Sequence, residues 1–336
     1  MQKMKVAIIG AGLQCRRRAP AVRACAQTEL AVIADRTFQK ADAAAKDFGC
    51  AAVKTWQEAV AMEEIGVVLV CTPPYAHAEI GAAALRAGKH VLCEKPLARS
   101  LAEADAMLAA ARQAKKILKC GFNHRHHPAV REAKAALERG DIGQALFARC
   151  RYGICGRPEY EKEWRADPDQ AAGGQFIEQG THAIDLFRWF LGEITEATGM
   201  TARRFFTGQP LDEDGMAVFR TSSAATASLH SSLTQWKNLF SFEVFGRDGY
   251  AAVDGLGASY GTERLVIGQR DFEAPFSENI TEYRGGDVSW KEEWKEFIAA
   301  ISEGREPLGN GEDGRKALQI ALAVYESEKT GKIIKF

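Results

Sequence analysis

The sequence predicts a two-domain α/β protein whose first domain contains a doubly wound parallel sheet. Short apolar runs alternate with alanine-rich helical stretches through the first 120 residues. Such alternation is typical of a parallel sheet that is covered by helices on both faces. The chain of 336 residues also exceeds what one hydrophobic core usually serves, so a second domain is expected.

Five short apolar runs are the predicted strands of the first domain: 5–9, 30–34, 67–71, 90–93 and 117–120. The stretches between them show helical periodicity, most clearly at 13–27, 76–87 and 101–114. Because all five strands would be parallel, their carboxyl ends should meet at one edge of the sheet, where ligands of this architecture lie.

A glycine turn joins the first strand to the first helix. Gly10 permits the tight turn, and Gly12 lets the backbone approach a pyrophosphate. The helix that begins at Leu13 and Gln14 presents free N–H groups and the positive end of its dipole to that anion. Cys15 stands where glycine or alanine is usual. Strand, turn and helix in this order predict a Rossmann dinucleotide-binding domain.

An acidic residue ends the second strand, 25 residues past Gly10. Asp35 would accept hydrogen bonds from an adenosine ribose and repel a 2′-phosphate, which favours NAD. Arg36 leaves NADP possible, because an arginine there can stack on adenine or bind a phosphate. In an alternative interpretation, Asp35 only caps the helix that begins near Phe38.

Two more turns are predicted at the carboxyl edge of the sheet. Thr72-Pro73-Pro74 must turn, because a double proline neither donates to a sheet nor continues a helix, and His77 follows three residues later. The next strand ends in Glu94-Lys95-Pro96. Most lysines are solvated surface residues, but Lys95 stands between a strand end and a proline at the predicted cofactor edge. It is therefore a candidate catalytic residue.

With these motifs, the sequence resembles the glucose–fructose oxidoreductase, inositol dehydrogenase and MocA (Gfo/Idh/MocA) family. The motifs span most of the chain in the family's order: 6–12, Asp35, Thr72-Pro73-Pro74 with His77, Glu94-Lys95-Pro96-Leu97, Gly121-Phe122-Asn123, Trp164-Arg165, Gly173-Gly174 and Glu178-x-x-x-His182-x-x-Asp185. The resemblance implies a C-terminal α/β domain with an open, largely antiparallel sheet. That sheet commonly forms a subunit interface, so a homodimer or homotetramer is expected.

The two domains are predicted to meet near residues 121–123. Residues 1–122 would form the NAD(P)-binding Rossmann domain, and residues 123–336 the substrate-binding and oligomerisation domain. Strands are predicted in the second domain at 146–152, 197–205, 215–220, 224–232, 240–246 and 250–253. Helices are predicted at 290–301 and 315–327.

Glu178, His182 and Asp185 recur at i, i+4 and i+7 in a helical stretch, which puts them on one face. By spacing alone the Glu–His pair could be a surface or capping arrangement. The resemblance implies instead that it corresponds to the family's catalytic acid and histidine. Glu178 stands where the family usually has aspartate, so its carboxylate lies about 1.5 Å further out. Whether Glu178 is needed for the chemistry is left open.

The reaction that the resemblance implies is hydride transfer between NAD(P) and a secondary alcohol or ketone of a sugar, an inositol or a nucleotide-sugar. Histidine titrates near neutrality, so His182 suits the exchange of the hydroxyl proton. Lys95 would hold the same oxygen and stabilise its alkoxide character. The two residues could also exchange these roles.

Four further residues are candidates for substrate binding through the resemblance. Asn123 and Arg125 correspond to positions that face the family's crevice, and Trp164-Arg165 to a loop that approaches cofactor and substrate. An aromatic ring and an arginine suit a sugar face or a phosphate. Core packing is the alternative role for Trp164.

Composition argues against several other classes of function. Lys+Arg and Asp+Glu both number 44, so no nucleic-acid partner is expected. No apolar run reaches the length that crosses a bilayer, and we expect a cytoplasmic protein without a membrane partner. The run 124–127, His-Arg-His-His, is not expected to bind a metal, because adjacent side chains point in different directions.

Two other functions are consistent with the same motifs. An NAD-dependent redox-assisted glycosidase would oxidise its substrate transiently, eliminate a neighbouring group and regenerate NAD, so NADH would not accumulate. A non-catalytic dinucleotide-binding regulator would need the glycine turn but neither Lys95 nor His182. The chain has both residues and no strongly charged tail, which favours the enzyme.

Overall fold

The computed structural model describes residues 3–273 and 277–336. It divides into two compact units. The first unit comprises Met1–Asn123, Asp169–Ala172 and Trp290–Lys316. The second unit comprises His124–Pro168, Gly173–Ser289 and Ala317–Phe336.

The helices are α1 (Leu13–Ala24), α2 (Phe38–Phe48), α3 (Trp56–Ala61), α4 (His77–Arg86), α5 (Leu101–Ala114), α6 (Pro128–Arg139), α7 (Gln175–Leu191), α8 (Ser289–Glu303) and α9 (Gly311–Thr330). The strands are β1 (Met4–Ile9), β2 (Thr28–Ala34), β3 (Ala51–Val53), β4 (Ile65–Val70), β5 (His90–Cys93), β6 (Leu118–Cys120), β7 (Ala145–Cys155), β8 (Ile194–Ala202), β9 (Asp214–Thr221), β10 (Thr226–Ser232), β11 (Thr234–Gly246), β12 (Gly249–Asp254), β13 (Glu263–Gln269), β14 (Glu278–Tyr283) and β15 (Ile334–Lys335).

Local sequence explains where several helices begin and end. The Ser100 hydroxyl accepts the N–H of Glu103 at 3.2 Å and so caps the start of α5. Helix α6 has Pro128 in its first turn, where a missing N–H costs nothing. Gly49 and Gly140 end α2 and α6 in the left-handed conformation that glycine favours, with φ of 67° and 84°. Such signals act over a few residues and are therefore visible in the sequence.

The first unit contains a six-stranded parallel sheet in the order β3-β2-β1-β4-β5-β6. This is the strand order of the Rossmann fold, and it confirms the predicted class. Ile9, the last residue of β1, pairs with Ala34 on one side and with Val70 on the other. The residues that follow these three strands therefore lie at the same edge of the sheet.

Helix α8 belongs to the core of the first unit, which corrects the predicted domain assignment. Its side chains Trp294, Phe297 and Ile298 are buried in a cluster that also contains Val6 and Ile8 of β1. The division after residue 122 placed this helix in the second domain, because chain order was its only guide. Residues 290–316 return to the first unit and cover its sheet.

The second unit contains a nine-stranded mixed sheet in the order β14-β13-β12-β11-β7-β10-β9-β8-β15. All neighbours are antiparallel except β7 and β10. The open, largely antiparallel sheet is thereby confirmed, and the six predicted strands correspond to β7–β12. Prediction missed α6, the short β3 and β15, and the strands β13 and β14.

The two faces of this sheet differ in what they contact. Alternate residues of β9 are buried, and α7 packs on that face with Phe187 against Phe219 and Phe242. The opposite face is open and carries exposed apolar side chains, among them Met200 and Met216. Within the described residues, no helix combines the length and the apolar character needed to cross a membrane.

Candidate active site

The glycine turn of the first unit has the geometry that the sequence predicts. Gly10 has a φ of +100°, and a Cβ atom built there would lie 2.7 Å from the carbonyl oxygen of Cys71. Only glycine fits this position without strain. A Cβ atom on Gly12 would meet nothing within 4 Å, and Leu13 directly after it is exposed. The start of α1, with Gln14 in its first turn, therefore opens onto free space.

Asp35 is bonded to this turn. Its Oδ2 accepts the N–H of Ala11 at 2.8 Å, and its Oδ1 accepts the N–H of Thr37, the residue before α2, at 2.8 Å. Asp35 therefore bonds to the residue before α2 but does not cap that helix, whose N-cap residue is Thr37 and which has no side-chain cap. The carboxylate keeps acceptor capacity, since an ionised carboxylate offers about four lone-pair sites. The side chain of Arg36 is exposed, and its Nη1 donates to the hydroxyl of Tyr75 at 3.3 Å.

A buried group of charges anchors the Glu94-Lys95-Pro96 turn. Arg18 of α1 is 1% exposed, and its Nε donates to Glu94 at 2.7 Å while its Nη1 binds Glu293 of α8. Lys119 lies 3.5 Å from Glu293. Burial alone would lower the pKa of Arg18, but the carboxylates of Glu293 and Glu94 raise it above its ordinary value. Beside this cluster, Lys95 is half-buried.

His77 joins two turns at the edge of the sheet. Its Nδ1 lies 2.9 Å from the carbonyl oxygen of Pro96, and its Nε2 lies 2.8 Å from that of Thr72. The ring is almost completely buried, and the Lys95–Pro96 peptide bond is cis. Pro73 directly precedes the 3₁₀ turn Pro74–Ala76 and has an extended backbone. His77 thus holds the turn after β4 to the turn that carries Lys95, a role that the sequence did not suggest.

In the second unit, Asp212 explains why Gly174, the second glycine before α7, has no side chain. A Cβ atom on Gly174 would lie 2.3 Å from the Asp212 carboxylate. That carboxylate accepts the N–H of Phe176 at 2.8 Å and the hydroxyl of Tyr325 at 2.6 Å. Burial raises the pKa of Asp212, although these hydrogen bonds act in the opposite direction. Glycine lets α7 begin directly against this carboxylate.

Glu178 and His182 lie one turn apart near the start of α7, as predicted. His182 is buried, and Glu178 is half-buried and accepts Nε of Arg165 at 3.3 Å. The guanidinium of Arg165 in turn lies 4.3 Å from the ring centre of Trp164. The structure therefore brings Glu178 together with the predicted Trp164-Arg165 loop. Trp164 is half-buried and lies outside the nearby core cluster of Tyr160, Ala166, Phe206 and Leu233.

Asn123 is buried and begins a 3₁₀ turn, Asn123–His126, whose following residues bond to different parts of the second unit. Arg125 donates its Nε and Nη2 to Asp185 of α7 at 2.7 and 2.5 Å, so much of its bonding capacity serves that helix. His127 Nδ1 lies 2.9 Å from Glu263. The described residues contain no group of three or more His, Cys, Asp or Glu side chains that could hold a metal ion.

Sequence reasoning missed three residues around His182. The ring of His124 stacks on that of His182 with a centroid distance of 3.8 Å and an interplanar angle of 21°. The hydroxyl of Tyr152 lies 3.0 Å from Nε2 of His124, and that of Tyr260 lies 3.5 Å from Tyr152. In the sequence, two features could have pointed to these residues: His124 directly follows Asn123, and Tyr152 and Tyr260 each lie in a separate segment.

Comparison with known proteins identifies both parts of the chain. Residues 4–122 match a family model described as an oxidoreductase family with an NAD-binding Rossmann fold. Residues 130–252 match the GFO/IDH/MocA C-terminal domain.

Among its relatives, the levoglucosan dehydrogenase of Pseudarthrobacter phenanthrenivorans is 27% identical over 97% of this chain and 96% of its own. The myo-inositol 2-dehydrogenase of Thermotoga maritima is 30% identical over 84% of both chains. A solved structure of levoglucosan dehydrogenase in complex with NADH and levoglucosan has a TM-score of 0.91 at 25% identity and covers 99% of both chains.

Proposed function

Since this chain belongs to the Gfo/Idh/MocA family of oxidoreductases, we propose that it transfers hydride between a nicotinamide dinucleotide and a ring carbon of a sugar or cyclic polyol. The carbon changes between secondary alcohol and ketone. The observation that carries the proposal is the edge of the first sheet, where Asp35 is bonded to the Gly10 turn and the Lys95 turn is tied to its neighbour by His77.

The dinucleotide is assigned to the first unit. The backbone of Gly10 and Gly12 and the first N–H groups of α1, at Leu13 and Gln14, bind the pyrophosphate. Asp35 accepts the ribose hydroxyls, which favours NAD, and Arg36 beside it leaves some use of NADP possible. Around the nicotinamide end we place the turns formed by Thr72, Pro73, His77, Glu94 and Lys95. When bound, the nicotinamide supplies or accepts the hydride.

His182 and Lys95 serve the reacting hydroxyl. In the oxidising direction His182 takes the hydroxyl proton, and in the reducing direction it returns a proton to the oxygen. The Lys95 ammonium holds that oxygen and stabilises negative charge as it develops. Glu178, one turn before His182, binds a neighbouring hydroxyl, and its bond to Arg165 supports this assignment.

The substrate is a polyhydroxylated ring. Arg165 and Trp164 bring a guanidinium and an indole ring together, and these two groups suit a ring with hydroxyl groups and an apolar face. Asn123 and Arg125 complete the proposed contacts. Relatives of this chain are a levoglucosan dehydrogenase and a myo-inositol 2-dehydrogenase, and these names support a small cyclic polyol as the substrate.

The same proposal includes assembly and location. Exposed Met200, Met216 and Val218 on the open face of the second sheet support a homodimer or homotetramer that pairs these faces. All eight cysteines are thiols, which supports a cytoplasmic enzyme. Light scattering on the purified protein measures the assembly directly, and a monomer at working concentration would contradict this part.

The test is a screen of levoglucosan, inositols, aldoses and nucleotide-sugars with NAD or NADP, followed through NADH absorbance. Lys95→Ala should lower kcat by about 10²–10³-fold, the usual cost of one electrostatic donor. Lys54→Ala removes an exposed lysine of the same unit and should leave kcat unchanged. Hydrolysis without accumulating NADH would support the redox-assisted glycosidase instead. Nucleotide binding without turnover would support a regulator, and failure to bind either dinucleotide would refute the proposal.

A further inference from the structure

The second unit contains two imidazole rings in face-to-face contact. The rings of His124 and His182 have centroids 3.8 Å apart and planes inclined by 21°. His124 is 5% exposed and His182 is 4% exposed, so both rings are almost completely removed from solvent. His182 lies on α7, whereas His124 belongs to the 3₁₀ turn 123–126. The contact therefore joins two different elements of the unit.

The ring of His124 is held at its edge by a pair of tyrosines. The Tyr152 hydroxyl lies 3.0 Å from Nε2 of His124 and donates to the hydroxyl of Tyr260 at 3.5 Å. The imidazole nitrogen and the hydroxyl oxygen are within hydrogen-bond distance whichever of them donates, so this contact holds the edge of the His124 ring. Burial raises the pKa of Tyr152 well above its ordinary value, so this hydroxyl keeps its proton throughout the physiological range.

Neighbouring rings leave His124 little room to turn. Phe240 meets it edge-on at 5.5 Å, and His127 meets it edge-on at 5.7 Å. Tyr152 packs against Phe240 at 5.3 Å, so the group that fixes His124 is itself enclosed. The plane of the His124 ring is thus set by a hydrogen bond and by packing together.

The backbone that carries His124 is anchored from both sides. Arg125 forms a bidentate pair with Asp185, which lies three residues after His182 on α7. On the other side, His127 contacts the Glu263 carboxylate, which also accepts the N–H of Ala129 at 2.8 Å. The Arg125–Asp185 pair ties the segment that carries His124 to α7, the helix that carries His182, and the bonds to Glu263 tie the same segment to β13.

We propose that His124 is a positioning residue for His182. Its clamped, flat face fixes the plane of the His182 ring and so fixes the direction of the nitrogen that exchanges the hydroxyl proton. The inference rests on the proposed function, in which His182 is the acid–base group. A misplacement of about 1 Å at such a group can cost about 10²-fold in rate, so a fixed ring plane matters for turnover.

Two substitutions separate the stacked face from the hydrogen bond. His124→Asn keeps a polar group near Tyr152 but removes the ring, and we expect kcat to fall by about 10²-fold. His124→Phe keeps a flat ring and removes the nitrogens, and it should retain most of kcat. Neither change should alter KM for NAD, because the nucleotide residues lie in the first unit. His90→Asn serves as the matched control: His90 begins β5, at the edge of the first sheet opposite to the nucleotide turns, and an asparagine oxygen can still accept the N–H of Ile117 that the His90 Nδ1 accepts at 3.1 Å.

A second measurement is independent of turnover. The stacked ring shifts the NMR signals of the His182 ring protons, so His124→Asn should move these signals in the full-length protein without substrate, and His90→Asn should not. Tyr152→Phe removes one oxygen while keeping the buried ring, and it should loosen His124 and move the same signals less. It also serves as the second variant where circular dichroism shows that His124→Asn does not fold.

The positioning role is overturned if His124→Asn keeps kcat, if His124→Phe is as damaging as His124→Asn, or if the His182 signals stay unmoved. A protein that oxidises no sugar in the screen contradicts the proposed function. The NMR comparison still decides in that case whether His124 fixes the His182 ring.

Discussion

Arg18 is expected to be essential for the stability of the first unit, although it belongs to a run of three arginines that resembles a solvated surface. Substitution by methionine keeps much of its volume and removes the charge. Glu94 and Glu293 would then remain buried without this guanidinium, and the ammonium of Lys119 lies 3.5 Å from Glu293. A carboxylate without its partner in such a place is more costly than the original ion pair is favourable.

The expected loss follows from what the substitution leaves behind. Breaking a buried ion pair costs about 3–5 kcal/mol of folding free energy. The pair of Arg18 and Glu293 belongs to this class, because Arg18 is 1% exposed and Glu293 is fully buried. Lys119 offsets part of the charge on Glu293, so we expect about 4 kcal/mol rather than the sum of two broken pairs. With a urea m-value of about 2–3 kcal/mol/M, this loss lowers the unfolding midpoint by about 1.3–2 M.

The assay is urea-induced unfolding followed by tryptophan fluorescence. Trp290, whose ring lies 4.7 Å from the Arg18 guanidinium, belongs to the same unit. Arg16→Met is the matched control: Arg16 is on the same helix, but its ion pair with Asp47 is exposed. Such pairs contribute about 0–1 kcal/mol, so this midpoint should hardly move.

Two outcomes would show that the reasoning is wrong. One is a urea unfolding midpoint for Arg18→Met that equals the midpoint for Arg16→Met. That result would mean that the carboxylates of Glu94 and Glu293 are not desolvated as their burial implies. The other concerns the double variant Arg18→Met with Glu293→Gln, which removes one stranded charge and should recover part of the loss. A double variant less stable than Arg18→Met alone would contradict the electrostatic explanation.

Three further results are expected. Asp35→Ser should lower the ratio of kcat/KM with NAD to kcat/KM with NADP by about 10–100-fold, because it removes a hydrogen bond from the ribose to a charged group. Parallel assays with both dinucleotides measure this ratio. Burial alone would raise the pKa of Glu263, but His127 lowers it below its ordinary value, so the ionised carboxylate stabilises the fold above about pH 4.3. That stabilisation disappears as the pH falls through the lowered pKa, and urea midpoints of wild type and Glu263→Gln should therefore converge on acidification. Burial raises the pKa of Cys15 to about 12, so mass spectrometry after brief alkylation should find the label on the exposed Cys155 and not on Cys15.

The first sheet could be predicted because its signals are local. Each long strand is a continuous apolar run, and Gly10 marks the turn where a Cβ atom would meet the carbonyl group of Cys71. The missed strand β3 is a three-residue, alanine-rich edge strand with one exposed residue, and it offers no such run. Helix α8 was predicted as a helix but assigned to the wrong unit. Its Trp294 donates to the Thr28 hydroxyl of β2 at 3.2 Å, and no local pattern reveals a bond between residues 266 positions apart.

The residues of the candidate site also fall into two groups, those that a local pattern places together and those that only folding brings together. Glu178 and His182 could be placed together because a helix brings residues four apart onto one face. His124 could not be placed against His182, since the two are 58 residues apart and belong to different elements. The prediction that adjacent residues of the run 124–127 point in different directions is confirmed. His124, Arg125 and His127 bond to three different elements.

Candidates for reacting groups are easier to propose from sequence than the groups that hold them in place. A residue that exchanges a proton or binds an anion needs a particular side chain, so its chemistry restricts which residues are candidates. A residue that holds another in place depends on the neighbour that folding brings to it, and this is the role we propose for the ring of His124, which stacks on that of His182. The sequence around His124 does not indicate this role, because the role depends on a contact with His182 that forms only in the folded unit. Substitution of such residues should change kcat while the residues that touch the substrate remain intact.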